Sequence, residues 1–228
     1  MCGRYTLSTP GDVLAERFET PEIPGLRPRY NVAPTQEVAA VRRPKGAKSG
    51  REMVLLRWGL VPRWAEDPSI GSRLINARAE TAPEKPSFRS AFKRQRCLVL
   101  ADGFYEWKKN PDGTKQPFYV RLKSGEPFAF AGLWEHWDKE GEPVESCTLL
   151  TTEPNPLMAG IHDRMPVILD PAGYELWLDP GVSDKDRLET LLAPYPADAM
   201  EARPVSRFVN SPANDSPRCV EALEPAQE

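Results

Sequence analysis

Histidine is nearly missing from this chain, with only His136 and His162 among 228 residues. Cysteine is scarce as well, and the four present (Cys2, Cys97, Cys147 and Cys219) form no Cys-x-x-Cys pair. No tetrahedral zinc site is therefore expected, and no cofactor is implied. No apolar run approaches the roughly 20 residues of a membrane span, and the start lacks the basic-then-apolar pattern of a secretory signal. An excess of positive charge is absent too: 30 Lys and Arg face 33 Asp and Glu, for a net charge of −3. That balance gives no overall attraction to a polyanion, but it leaves room for a local basic cleft. Unpaired thiols without a targeting pattern make a reducing cytoplasm the expected compartment.

Proline is abundant, at 25 of 228 residues, about twice its usual share. It predicts short elements joined by ordered loops rather than a helical bundle. A helix is expected over 11–18, with Thr9 as its cap and Pro10 in its first turn. Strands are expected over 53–58, 97–101, 104–107, 118–123, 128–133 and 148–152, with a turn at Asn110-Pro111-Asp112-Gly113. Short helices are expected over 87–95, 155–161, 174–178 and 184–192, the last capped by Ser183. Cys97 and Cys147 lie in apolar runs and read as buried structural thiols. The fold class is α+β: one domain over 1–210, mixed and antiparallel sheets around a barrel-like core, short peripheral helices, and a loose tail over 211–228.

Position 2 carries the most distinctive chemistry. Removal of Met1 leaves Cys2 with a free α-amine and a thiol on one residue. Such an aminothiol condenses with an aldehyde through its amine and closes a thiazolidine ring through its thiol. An ordinary cysteine behind the start, or an amide-attacking nucleophile, is equally compatible with the terminus alone. Further along, Asn76 interrupts Leu-Ile-Asn-Ala-Arg, Glu106 sits between Tyr105 and Trp107, and His162 is one of the two histidines. A carboxylate among aromatics is pushed towards its neutral form and can act as an acid, whereas a histidine moves protons near neutrality. Between Arg73 and Arg96 lie seven Arg or Lys against two Glu, a basic stretch in an acidic chain.

Six motifs occur in order: Met-Cys-Gly-Arg-Tyr, Arg-Tyr-Asn-Val-Ala-Pro-Thr (29–35), Trp-Gly-Leu-Val-Pro-Arg-Trp (58–64), Ile-Asn-Ala-Arg-Ala-Glu-Thr (75–81), Ala-Asp-Gly-Phe-Tyr-Glu-Trp (101–107) and Ile-His-Asp-Arg-Met-Pro (161–166). The set closely resembles the SRAP (SOS response-associated peptidase-like) family, whose members sense abasic sites in single-stranded DNA. The resemblance runs from residue 2 to about Asn210. It implies that Cys2 crosslinks to the aldehyde of an abasic deoxyribose. Glu106 would then protonate the sugar ring oxygen, His162 would move protons, and Asn76 would hold the Cys2 amine and sugar in register. It also implies phosphate contacts from Arg4, Arg78 and Arg164, a threonine near the site at Thr151, and base stacking by Trp64 and Trp107. The implied partner is single-stranded DNA carrying an abasic site, bound by a monomer without metal or membrane. Rival readings are an N-terminal-nucleophile cysteine amidohydrolase, a thiol autopeptidase and a non-catalytic single-strand binding module. With only Met1 ahead of Cys2, an autopeptidase has little to remove.

Overall fold

Proline and glycine cut the chain into short elements, as the composition predicts. A computed structural model describes residues 2–23, 25–47, 49–139 and 142–223. In chain order the elements are β1 (Tyr5–Leu7), α1 (Gly11–Phe18), β2 (Arg29–Val32), β3 (Glu37–Arg42), β4 (Glu52–Trp58), β5 (Asn76–Arg78), α2 (Arg89–Arg94), β6 (Arg96–Ala101), β7 (Gly103–Lys109) and β8 (Lys115–Leu122). They continue with β9 (Phe128–Trp137), β10 (Val144–Thr152), α3 (Pro156–Ala159), β11 (Met165–Pro166), β12 (Ile168–Leu169), α4 (Tyr174–Leu178), α5 (Lys185–Glu189) and β13 (Met200–Pro204). Among the described residues no helix is long and apolar enough to cross a membrane.

Strands β10, β4, β3, β6 and β9 follow one another in hydrogen-bonded order, and pairing of β9 with β10 closes them into a barrel. β5 and β11 attach to β10, and β12 attaches to β9. The other strands form a second sheet in the order β13-β8-β7-β1-β2. The fold is thus α+β with a barrel core and short helices, as expected. Four aromatics join its two layers. Tyr5 of β1 lies 5.4 Å from Trp58 and 5.8 Å from Phe130, and Phe104 of β7 lies 6.0 Å from Phe130. All four rings are buried; burying a side chain of this size stabilises by about 1.5–3 kcal/mol, and tilted or edge-on pairs add about 0.5–1.5 kcal/mol. Cys97 and Cys147 are buried free thiols in the barrel.

Local chemistry departs from expectation at three places. Thr9 does not cap α1; Pro10 occupies the cap position, and the Thr9 hydroxyl donates to Asp102 Oδ1 at 2.6 Å. The Asp102 carboxylate also accepts from the Ser8 hydroxyl at 2.8 Å, so a long-range acceptor outcompetes the local cap. α5 is capped by Asp184, which accepts from Arg187 N–H at 3.3 Å, and not by Ser183. The segment after residue 210 is not loose over its described part, which runs to Leu223. The buried Asn31 amide of β2 donates to the carbonyls of Val209, Ser211 and Asn214 at 3.1, 2.9 and 2.6 Å. Asp215 accepts from the Tyr30 and Asn31 N–H groups and pairs with Arg29, and Cys219 is buried. Polar composition predicts exposure, but here the polar groups satisfy a sheet edge. Residues 224–228 lie outside the described residues.

Asn31 is the keystone of that closure. Asn31→Ala removes three donated bonds and the bond from Arg4, although the Val209, Ser211 and Asn214 carbonyls keep the Arg4 guanidinium, the Asn214 N–H and the Cys219 thiol, so urea denaturation should show a loss of about 1–3 kcal/mol. A loss below about 0.5 kcal/mol would mean that the C-terminal segment is held by other contacts.

Candidate active site at the amino terminus

β1 begins at Tyr5, so Cys2 projects only three residues ahead of the sheet. Its course is fixed from two sides. On one side Tyr5 pairs with Phe104 and Thr6 with Gly103, and Tyr105 N–H donates to the Arg4 carbonyl at 2.9 Å. That antiparallel register, carried on by two residues, sets Gly3 opposite Glu106. On the other side the Asn76 Nδ2 donates to the Cys2 carbonyl at 2.7 Å. Asn76 is itself pinned. β5 runs parallel to β10 with Asn76 opposite Leu149, and the Ile75 carbonyl accepts from both Leu149 N–H and the Trp58 indole, at 3.1 and 2.9 Å.

His162 arrives from the opposite direction. Asn155 caps α3 by accepting from Met158 N–H at 2.9 Å, and the helical turn ends where His162 N–H donates to the Met158 carbonyl at 2.8 Å. This is the placement expected from the sequence. The imidazole Nε2 then lies 4.0 Å from Glu106 Oε2. Its Nδ1 accepts from Arg164 N–H at 3.1 Å, which puts the proton of the neutral ring on Nε2, facing the carboxyl. Asp163 Oδ1 lies 2.9 Å from Nδ1.

Burial dominates the electrostatics. Glu106 is buried, and desolvation pushes its carboxyl above the usual carboxylate range, with the nearby His162 acting in the opposite sense. Cys2 is fully buried; desolvation raises its thiol well above the ordinary thiol range, and the Glu106 charge adds to the effect. The thiol is therefore held as S–H. Asn76 Oδ1 is buried with no hydrogen-bond partner among the described residues, an open acceptor beside Cys2. Cys2, Asn76, Glu106 and His162 thus converge from four separated segments. Among the described residues no group of three or more His, Cys, Asp or Glu is arranged to hold a metal ion.

The expected DNA contacts fall into two groups. Arg78 is exposed at the end of β5, and Trp64 is 52% exposed with its indole N–H donating to the Pro86 carbonyl at 3.4 Å. The others carry internal bonds. Arg4 donates to Asn31 Oδ1 and the Val209 carbonyl, each at 2.9 Å, and Trp107 donates to Asn210 Oδ1 at 2.9 Å. Arg164 forms a two-pronged pair with Glu80 at 2.8 and 2.9 Å and donates to the Thr151 carbonyl at 2.6 Å. Thr151 is buried, with its hydroxyl donating to the Ala77 carbonyl at 3.4 Å. Glu80 and Asn31, which fix Arg164 and Arg4, were not foreseen as site residues although both lie inside the conspicuous motifs. A glutamate two residues after Arg78, just past the short strand, was the available signal.

The family model described as SOS response associated peptidase (SRAP) matches residues 1–212. The abasic site processing protein YoqW of Bacillus subtilis (strain 168) is 49% identical over 226 residues, covering 97% of this chain and 100% of that protein. The abasic site processing protein YedK of Escherichia coli (strain K12) is 32% identical over 234 residues, covering 98% and 100%. The abasic site processing protein HMCES of Xenopus tropicalis is 34% identical over 227 residues, covering 86% of this chain and 67% of that one. A crystal structure of a protein from Bacteroides thetaiotaomicron superposes with a TM-score of 0.87 at 29% identity, covering 98% of this chain and 100% of that chain.

The raised Glu106 carboxyl has a consequence for stability. Folding takes up a proton at this group, so its stabilising contribution is complete below the ordinary carboxylate range and is lost as pH rises through the raised value. Glu106→Gln removes that loss. Thermal melts across this pH range should show the variant gaining stability relative to the parent as pH rises, and parallel pH profiles would contradict the assignment.

Proposed function

The chain belongs to the SRAP family, and on that basis we propose that it captures abasic sites in single-stranded DNA covalently through Cys2 once Met1 is removed. The observation that carries this reading is the grip of Asn76 on the Cys2 carbonyl at 2.7 Å, with the Asn76 Oδ1 buried and open beside it. One face of the amide fixes the residue, and the other accepts from the freed amine or a sugar hydroxyl. Loss of Met1 turns the Cys2 amide nitrogen into a primary amine with an ordinary pKa of roughly 7.7–8.0, a competent nucleophile near neutrality.

The order of steps follows from the electrostatics. Glu106, held towards its protonated form, donates to the sugar ring oxygen and assists opening to the C1′ aldehyde. The amine attacks C1′ first, because the buried thiol is held neutral. His162 takes the proton that nitrogen sheds and returns it to the departing hydroxyl, so one water leaves and an imine forms. The thiol sulfur then adds to C1′ and its proton passes to the nitrogen, closing a thiazolidine with no further loss. Alignment of amine, thiol and aldehyde contributes several kcal/mol through effective concentration. Arg78 is the exposed cation nearest this end of β10 by register, opposite Thr151, and suits a phosphate beside the lesion. Trp64 offers a ring for a neighbouring base. Arg164 acts through Glu80 and the Thr151 carbonyl, which hold the His162 loop.

The test is incubation of Met1-processed protein with single-stranded DNA bearing one abasic site, followed by denaturing electrophoresis. A heat-stable shifted band that Cys2→Ala abolishes is expected; glutaminase activity with no such band would favour the amidohydrolase instead. His162→Ala should slow release of the crosslink by at least about tenfold while leaving DNA affinity nearly unchanged. An unaltered release rate would remove His162 from proton transfer.

A further inference from the structure

A cavity of about 640 Å³ lies beside the Glu145 end of β10. Its position follows from the ladders: Asn76, which holds Cys2, lies opposite Leu149 and Arg78 lies opposite Thr151, whereas Glu145 and Trp134, which line the cavity, sit towards the other end of β10 and β9. Six residues of β10 separate Thr151 from Glu145, about 20 Å of strand. The cavity is rich in cations. Two of them are structural: Arg96 donates to backbone carbonyls including Phe92, and Arg43 pairs with Glu175. Glu145, the acid in its wall, is taken by Arg42 at 2.9 Å. Lys45, Arg63 and Arg94 also line it, are exposed, and make no hydrogen bond or ion pair among the described residues.

A continuous basic segment connects this cavity with the end of β5. The chain from Arg78 to Arg94 is anchored at one end where Ala79 N–H donates to the Thr151 carbonyl at 2.8 Å. At the other, the Gln95 carbonyl accepts from Trp134 N–H at 2.8 Å. Along it Arg78, Lys85, Arg89, Lys93 and Arg94 are exposed and unpaired among the described residues. Its two acids are both neutralised by cations from elsewhere, Glu80 by Arg164 and Glu84 by Lys185. Trp64 meets the middle of the segment at Pro86. Apart from the attraction of Glu80 for Arg78 and of Glu135 for Arg63, this run of positive charge has no ion-pair partner among the described residues, in a protein whose net charge is −3.

We infer that the cavity lined by Lys45, Arg63 and Arg94 is a second phosphodiester-binding site, which takes the backbone of the same DNA strand after it leaves the lesion and passes Trp64 along residues 78–94. The inference rests on the reading of Cys2 as the lesion site. Stacked nucleotides advance about 3.4 Å each, so about six nucleotides span the distance from Arg78, opposite Thr151, to the cavity. Three phosphate contacts on a single strand contribute about 2 to the logarithmic salt slope of binding.

The experiment compares the parent with a Lys45→Gln/Arg63→Gln/Arg94→Gln variant, using single strands that carry a tetrahydrofuran abasic analogue. One probe has about two nucleotides on each side of the lesion, and two others extend by about ten nucleotides on the 5′ or the 3′ side alone. For one of the extended probes the variant should bind on the order of tenfold more weakly and its salt slope should fall by about 2. Binding of the short probe and crosslinking to a short aldehyde-bearing strand should be unchanged. Unchanged affinity for both extended probes, or an equal loss on the short probe, would overturn the proposal. Absence of any crosslink with the parent would defeat the Cys2 reading instead, and the cavity would still be judged by the variant's affinity for a long undamaged strand.

Discussion

A residue at position 2 has little chain to hold it, and in this fold the hydrogen bond from Asn76 to the Cys2 carbonyl supplies what the chain cannot. The bond is only as fixed as Asn76, which rests on the pairing of β5 with β10 and on the Trp58 indole that grips the Ile75 carbonyl. Trp58 in turn packs against Tyr5, the first residue of β1. The loop closes on itself: the strand that carries Cys2, the ring that braces it and the amide that holds its carbonyl form one unit spanning the two sheets. Glu106 and His162 are then added from β7 and from the turn after α3, which completes the proposed site.

The same architecture reconciles an acidic chain with a polyanionic ligand. Charge is sorted locally. Arg164 and Lys185 neutralise the only acids of the basic segment, and Arg42, Arg43 and Arg51 gather Glu52, Glu145 and Glu175 elsewhere. What remains unpaired is a band of Arg and Lys beside Trp64. An abasic nucleotide offers no base edge to read, so phosphates, sugar and neighbouring stacks are the features left to recognise. A surface band of cations with an exposed indole fits those features, and binding through it weakens with salt.

The strands from Arg96 to Thr152 were legible because their apolar runs are continuous and broken by a strong turn at Asn110–Gly113. The turn that delivers His162 was legible from Asn155-Pro156. β3, by contrast, lay outside the expected strands. Its Val-Ala-Ala-Val run is short, and it is a strand because β4 and β6 flank it. Closure of the barrel was also beyond local pattern, since β10 pairs in parallel with β4 and antiparallel with β9. The identities of Cys2, Asn76, Glu106 and His162 came from scarce or misplaced residue types and from motif resemblance; that they converge is tertiary information. Arg4 and Arg164, expected as phosphate ligands, also hold internal acceptors that only the fold brings near.

The central claim is that Cys2 acts as an aminothiol rather than as a thiol or an amine alone. Intact-mass measurement of the complex formed with an abasic oligonucleotide tests it most directly. The account predicts protein lacking Met1 plus oligonucleotide minus one water, unchanged by borohydride, whereas Cys2→Ser gives an adduct only when borohydride traps its imine. An equally stable adduct from Cys2→Ser, or one formed with Met1 retained, would contradict it.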